Sequence, residues 1–159
     1  MAGRATSDTP PPPFAVERVD PALTHALRHR VLRAGQPASA VNTASDDHPE
    51  AAAFAARTGD GTVVGTVIVA PEPCPFLPDR PGAWRLRGMA TDEAWRSRGI
   101  GAALLAVALD HMRAQGGTLV WCNARTPARA FYERAGFRAH GDEWVDPLIG
   151  PHVAMARTL

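Results

Sequence analysis

The feature that most narrows the fold is a long run of small and apolar residues from Gly99 to Gln115. Within it Ala103, Leu104, Val107, Ala108 and Met112 recur at helical spacing, and Gly116-Gly117 stops it. Before it, Trp84 to Ala90 reads as a strand; after it, Thr118 to Asn123 is a short β-branched and aromatic strand. Thr126 then caps a helix begun by Pro127 and ended by Gly136. Strand (84–90), helix (99–115), strand (118–123) and helix (127–135) describe a βαβα unit with a parallel strand pair. Such units bind ligands at the C-terminal ends of their parallel strands, near the start of the following helix.

The remaining segments add antiparallel partners. Ala51 to Arg57 and Thr62 to Ala70, joined by Thr58-Gly59-Asp60-Gly61, form a hairpin, and strand-like pieces near Phe137 to His140 and His152 to Ala156 close the chain. Asp20-Pro21 begins an amphipathic helix on which Leu23, Leu27 and Val31 repeat before Gly35. The expected class is α+β, a central mixed and mostly antiparallel sheet with helices on both faces. Gln36 to Glu50 is a polar segment, acidic at its end. Five prolines between Pro71 and Pro81 make a long irregular loop, a kind that is often functional. Pro10 through Pro13 lack amide donors, so 1–13 is expected to be a flexible leader and 14–159 a single domain, without internal repeats.

Charge removes several functions. All 17 basic residues are arginine, which disfavours chemistries that need a lysine amine: a Walker-type loop, a protein kinase, a pyridoxal-phosphate enzyme or a Schiff-base aldolase. A net charge of +1 is no footprint for nucleic-acid or membrane-surface binding. Cys74 and Cys122 are too few for a disulfide framework and lack metal or redox spacing. With no apolar signal-like stretch at the start, a cytoplasmic setting is expected. His25 and His29, one helical turn apart, could bind a metal only with a third ligand; a solvated helix face is the plainer reading. Asp46-Asp47-His48 reads as a polar loop.

Chemistry concentrates in Arg96-Ser97-Arg98-Gly99-Ile100-Gly101, between a strand and the long helix. Unpaired amides at a helix N-terminus, glycines that let an anion approach and two forked cations suit a phosphate group. A glycine pair alone reads equally well as a tight turn. The dinucleotide fingerprint is absent, since the third glycine is missing and the next strand ends in Cys122-Asn123 without an acid.

Taken together, Leu86 to Thr91, Arg96 to Leu105 and Ala128 to Phe137 resemble the GNAT superfamily of acyl-CoA N-acyltransferases over about residues 84 to 138. More loosely, Leu27 to Arg33, Trp121 to Arg125 and Ile149 to His152 are similar to a subgroup of small bacterial members with undefined substrates. The resemblance implies a GNAT-like fold whose parallel pair is splayed to admit coenzyme A. It implies that acetyl-CoA is the cosubstrate and that amides of Arg96, Ser97, Arg98, Gly99, Ile100, Gly101 and Ala102 hold its pyrophosphate. Met89, Ala90 and Thr91 would meet the pantetheine arm, with the Met89 or Ala90 amide facing the thioester oxygen. Ala128 and Phe131 would line the arm, and Arg125, where many members have asparagine, would meet a phosphate or the arm's amides.

Tyr132, the only tyrosine, reads by itself as a core aromatic beside Phe131; within the motif it is the general acid. On the acceptor side stand His152, Asn123, Cys122 and Arg87, with Cys122 better read as a small buried residue than as a nucleophile. The base is left open among His152, Glu143 and Asp146. The implied function is acetyl transfer to a small-molecule or peptide amine by direct attack in a ternary complex, with no metal, by a monomer or homodimer. The alternative is a catalytically silent coenzyme-binding module; a nucleotide-dependent enzyme is a third reading. Residues 85–138 hold nine arginines and four acids, and the others eight and twelve. On that count the acidic remainder favours a cationic acceptor.

Overall fold

A computed structural model describes residues 13–159, so the expected leader, apart from Pro13, lies outside the described residues. The chain enters through β1 (Ala15–Val19), an edge strand pairing antiparallel with β2 (Ala52–Arg57). Sequence pattern missed β1 because its five residues include Glu17 and Arg18 and expose most of their surface. Asp20 then accepts a hydrogen bond from the Ala22 amide at 2.9 Å, and Pro21 opens a 3₁₀ turn leading into α1 (His25–Leu32). The expected hairpin is β2 and β3 (Val63–Pro71), in register from Ala52↔Val69.

β4 (Ala83–Thr91), α2 (Ile100–Ala114), β5 (Leu119–Arg125) and α3 (Arg129–Arg134) are the βαβα unit. Thr126 does not cap α3: it sits inside a 3₁₀ turn whose flanking residue is Arg125, and its hydroxyl is buried without a partner. β6 (Arg138–Asp146) and β7 (Gly150–Thr158) are each longer than the apolar pattern suggested, because β6 resumes its pairing at Trp144↔His152 through Asp146↔Gly150 after an irregular, exposed stretch that includes Asp142 and Glu143. The sheet order is β1-β2-β3-β4-β5-β7-β6, antiparallel throughout except for β4 beside β5.

α2 lies across one face of the sheet and buries Ile100, Leu104, Leu105, Ala108, Leu109 and Met112; Ala103 and Val107, expected inside, lie half-buried at the edge of that stripe. Phe131 of α3 meets the first turn of α2 at Gly101. The other face carries α1 and the proline loop, which packs Cys74, Phe76 and Leu77 against Trp121 and Ala83. Trp121 also donates its indole N–H to the Glu72 carbonyl at 3.0 Å.

The crossing of α2 over β3 depends on Gly65. A Cβ there would lie 2.4 Å from Ile100 Cγ2 and 2.9 Å from Leu104 Cδ1. Gly65→Ala should therefore destabilise the fold by about 1–3 kcal/mol through overpacking, read as a lower urea midpoint at unchanged slope; an unshifted midpoint refutes it.

Candidate active site

β4 and β5 are hydrogen-bonded only where Ala83, Trp84 and Arg85 face Leu119, Val120 and Trp121. Beyond Arg85 and Trp121 the strands part, and a cleft of about 360 Å³ opens between them. Met89 and Arg87 of β4 line it, as do Cys122, Asn123 and Arg125 of β5, Ala128 and Tyr132 beyond that strand, and His152 of β7. Ala90 is buried and, with Thr91, Phe131 and the 96–102 loop, does not line it.

A β-bulge shapes the β4 wall: Gly88 and Met89 together oppose the single residue Val67, between the pairs Thr66↔Ala90 and Ile68↔Arg87. The buried Thr66 hydroxyl donates to the Gly88 carbonyl at 2.8 Å. Gly88 has φ +61°, and a Cβ on it would stand 2.7 Å from Arg28 Nε, so both conformation and space require glycine.

Arg28 of α1 is itself buried. It donates to both carboxylate oxygens of Asp46, at 2.9 and 3.3 Å, to the Val41 carbonyl at 2.8 Å and to the Thr24 hydroxyl at 3.1 Å. His25 Nε2 lies 2.8 Å from the same carboxylate, and the Thr43 hydroxyl donates to it at 2.9 Å. The 46–48 segment is thus more than a polar loop, since Asp46 fastens it to α1. His29 Nε2 donates to the Gln36 carbonyl at 2.6 Å. The expectation of a solvated histidine face fails, because α1 turns both rings toward the 36–46 segment. Burial alone would raise the Asp46 carboxyl, but hydrogen bonds from Arg28 and His25 outweigh it and hold the group below the usual carboxylate range. Neither Arg28 nor Asp46 was singled out from sequence; the one signal was Arg28 within the Leu27–Arg33 stretch.

At the far end of β4, Ser97 (φ +63°) and Gly99 (φ +79°) place two left-handed residues just before α2. Gly99 caps the helix without a side-chain bond, and the first intrahelical bond runs from the Ala103 amide to the Gly99 carbonyl. The amides of Ile100, Gly101 and Ala102 are therefore free of helix partners. Arg96 and Arg98 are exposed beside them, Arg98 stacked 4.8 Å over the Trp95 ring.

On the opposite wall, the Tyr132 ring packs edge-on against Phe131 and Phe137, with centroids 5.1 and 5.2 Å away. Burial pushes its phenol well above the ordinary value, and neighbouring Cys122 adds to the rise. Burial also pushes the Cys122 thiol up to about 12 despite Arg85, so it stays protonated and is no nucleophile. Arg125 donates to the Leu32 carbonyl at the end of α1, bridging the cleft.

His152 is buried, faces Arg125 in register and stacks on Trp144 at 5.7 Å. Its Nδ1 lies 2.8 Å from the Gly150 carbonyl. A carbonyl only accepts, so Nδ1 carries a proton there and Nε2 is the ring nitrogen left for another partner. Glu143 instead sits 3.7 Å from Arg129, away from the cleft wall. Asp146 does line the cleft, one oxygen taking the Leu148 and Ile149 amides at 2.8 and 3.2 Å.

A family model described as the acetyltransferase (GNAT) family matches residues 17–137. A relative from Bacillus subtilis (strain 168), described as the uncharacterized N-acetyltransferase YitI, is 34% identical over 136 residues, spanning 86% of this chain and 90% of its own. Among solved structures, an N-acetyltransferase from Lactobacillus plantarum has a TM-score of 0.75 at 21% identity, covering 92% of this chain and 98% of its own. An aminoglycoside 6'-N-acetyltransferase complexed with coenzyme A has a TM-score of 0.65 at 19% identity, covering 91% and 96%. At those identities the two structures share the fold.

The Arg28–Asp46 pair has a pH signature. Asp46 releases its proton more readily folded than unfolded, so its contribution is complete above about pH 4. It is lost as the pH falls through the lowered folded value. Asp46→Asn should flatten the acid limb of stability and cost about 3–5 kcal/mol at pH 7 by leaving Arg28 unpaired. Denaturant melts from pH 2 to 7 check this, and an unchanged acid limb contradicts it.

Proposed function

Because the chain belongs to the acetyltransferase (GNAT) family and is an N-acyltransferase, we propose that it transfers an acetyl group from acetyl-CoA to a primary amine within a ternary complex. The observation that carries this reading is the parting of β4 from β5, with the Gly88-Met89 bulge on one wall and Tyr132 on the other.

The residues present suit coenzyme A. Unbonded amides at Ile100, Gly101 and Ala102, the two left-handed residues before them and the exposed arginines fit a pyrophosphate. The backbone of Met89, at the bulge, fits a pantetheine arm lying in the gap like an added strand. Bound acetyl-CoA supplies a thioester, the electrophile for amine attack. Met89 is the oxyanion donor in this reading, its amide preorganised by the Thr66 clamp on Gly88. His152 accepts the amine's proton at Nε2, the nitrogen that the Gly150 bond leaves free.

Tyr132 donates the proton to the departing sulfur. A phenol raised above its ordinary value remains a donor at every physiological pH. A cytoplasmic setting accords with two free, buried thiols, Cys74 and Cys122. Among the described residues no helix is long and apolar enough to cross a membrane.

Tyr132→Phe should lower kcat by about 100-fold with acetyl-CoA affinity, measured by calorimetry, unchanged within about twofold. An unchanged kcat where chemistry is limiting removes Tyr132 from the acid role. Coenzyme binding without thiol release across an amine panel would favour the silent module instead.

A further inference from the structure

The acceptor end of the cleft is more positive than the segment charges suggested. Arg28, Arg33, Arg85, Arg87 and Arg125 all line it, and Asp146 is the one carboxylate among the lining residues. Asp46 neutralises Arg28, and Glu72 holds Arg85 at 2.9 Å while Trp121 stacks against its guanidinium at 4.5 Å. No ion pair engages Arg33, Arg87 or Arg125 among the described residues; Asp146 is the acid that acts on Arg33, and Arg87 feels only Glu72 and Asp46, which already pair with Arg85 and Arg28. Arg33 and Arg125 each spend one N–H on the Leu32 carbonyl, which carries no formal charge. Arg87 makes no side-chain hydrogen bond among the described residues, and its Nε is buried without a partner.

A guanidinium has five donors in a fixed fork, and withdrawing it from water without a counter-charge is costly. Three such cations line one cleft, Arg87 from β4, Arg125 from β5 and Arg33 from just after α1, and none has an ion-pair partner of its own among the described residues. We infer that the acceptor amine carries its own anionic group, a carboxylate or phosphate, seated on Arg87 with Arg33 and Arg125 around it. The inference rests on the acyl-transfer reading above and names the substrate class of that same site.

Position sets the size of the acceptor. Arg87 is two residues from Met89 on β4 with the Gly88 bulge between them, so their backbones are no more than the roughly 7 Å of two extended residues apart, and amine and acid must lie within a few bonds of each other. An α-amino acid is the smallest molecule of this kind, and an aminoalkyl phosphate is the phosphate counterpart. Burial also holds all three guanidiniums below the ordinary arginine range, with neighbouring cations adding to the effect, as expected for charges short of water and counter-ion. The acids that make the rest of the chain negative, Asp47, Glu50, Asp79 and Glu17 among them, do not line the cleft. The charge balance that pointed to a cationic acceptor averaged over residues that never meet it.

The test is calorimetry on the full chain loaded with coenzyme A, using ligands matched except for the acid: amino acids against their carboxamides and decarboxylated amines, and phosphoethanolamine against ethanolamine. The acid-bearing member should bind at least tenfold tighter, and which pair shows the larger gap identifies carboxylate or phosphate. Arg87→Gln should erase the preference while changing the affinity of the neutral-tailed amines less than about twofold. Arg33→Gln should reduce the preference, and unchanged urea midpoints confirm that both variants fold. Equal binding within every pair, or tighter binding of the amines without an acid, overturns the inference. If the acids bind preferentially yet acetyl-CoA releases no thiol with any amine, the anion site stands and the acyl-transfer reading fails. If thiol is released with no preference for the acid-bearing member, the reverse holds.

Discussion

Three residue pairs, Ala83 to Arg85 against Leu119 to Trp121, are all that join the parallel strands at the centre of the sheet. Parting two central strands leaves backbone donors and acceptors without their ladder, which a fold tolerates only where the rest of the sheet holds both strands and something else can meet the freed groups. Both conditions are met. β4 is pinned by β3 along most of its length, and β5 pairs with β7 from Leu119↔Thr158 through Arg125↔His152. The gap is therefore a fixed opening between two well-anchored walls, with backbone on its sides.

α1 keeps that opening in shape. It is only eight residues long, too short to be stable alone, and it is held by side chains more than by an apolar face. Arg28 reaches Asp46 on one side and lies against Gly88 on the other; Arg30 meets Asp92 just after β4 at 2.7 Å; Arg125 crosses from β5 to the last turn of the helix. Several of these contacts use what arginine has and lysine lacks. Arg28 needs a fork to grip Asp46, Val41 and Thr24 together, and Arg85 and Arg98 need flat guanidiniums to lie on indole rings. An ammonium has neither the planar fork nor the flat face.

The parts of this architecture that were legible in sequence are those written in periodicity and in glycine. The long helix, its flanking strands and the glycine loop follow from spacing, and the parallel pair follows from their order. What escaped was written in partners. β1 is an edge strand whose pattern two charges blur. Asp46 looked like part of a polar loop because nothing local shows that Arg28, His25 and Thr43 converge on it from elsewhere in the chain. Charge counted by segment does not resolve the cleft for the same reason: Glu72 and Asp46 pair with two cleft arginines from outside its lining, and Asp146 is the one acid among the lining residues.

The start of α2 and the cleft between β4 and β5 therefore meet negative charge by different physics. At the start of α2 the positive potential comes from backbone dipoles that are free for any chain with a helix there, at the cost of two left-handed residues, one of them Ser97. At the acceptor end it comes from full charges on partly buried side chains, which destabilise the empty fold unless a ligand answers them. The same difference predicts how each end discriminates. Dipoles spread over several amides accept a phosphate group in many orientations, whereas the forked, half-desolvated Arg87 rewards an anion at one position and penalises its absence. On the reading proposed above, selectivity between coenzyme and acceptor would need no separate device: an anion that can bridge several amides would be held at the helix, and a small one that fits a fork between the strands.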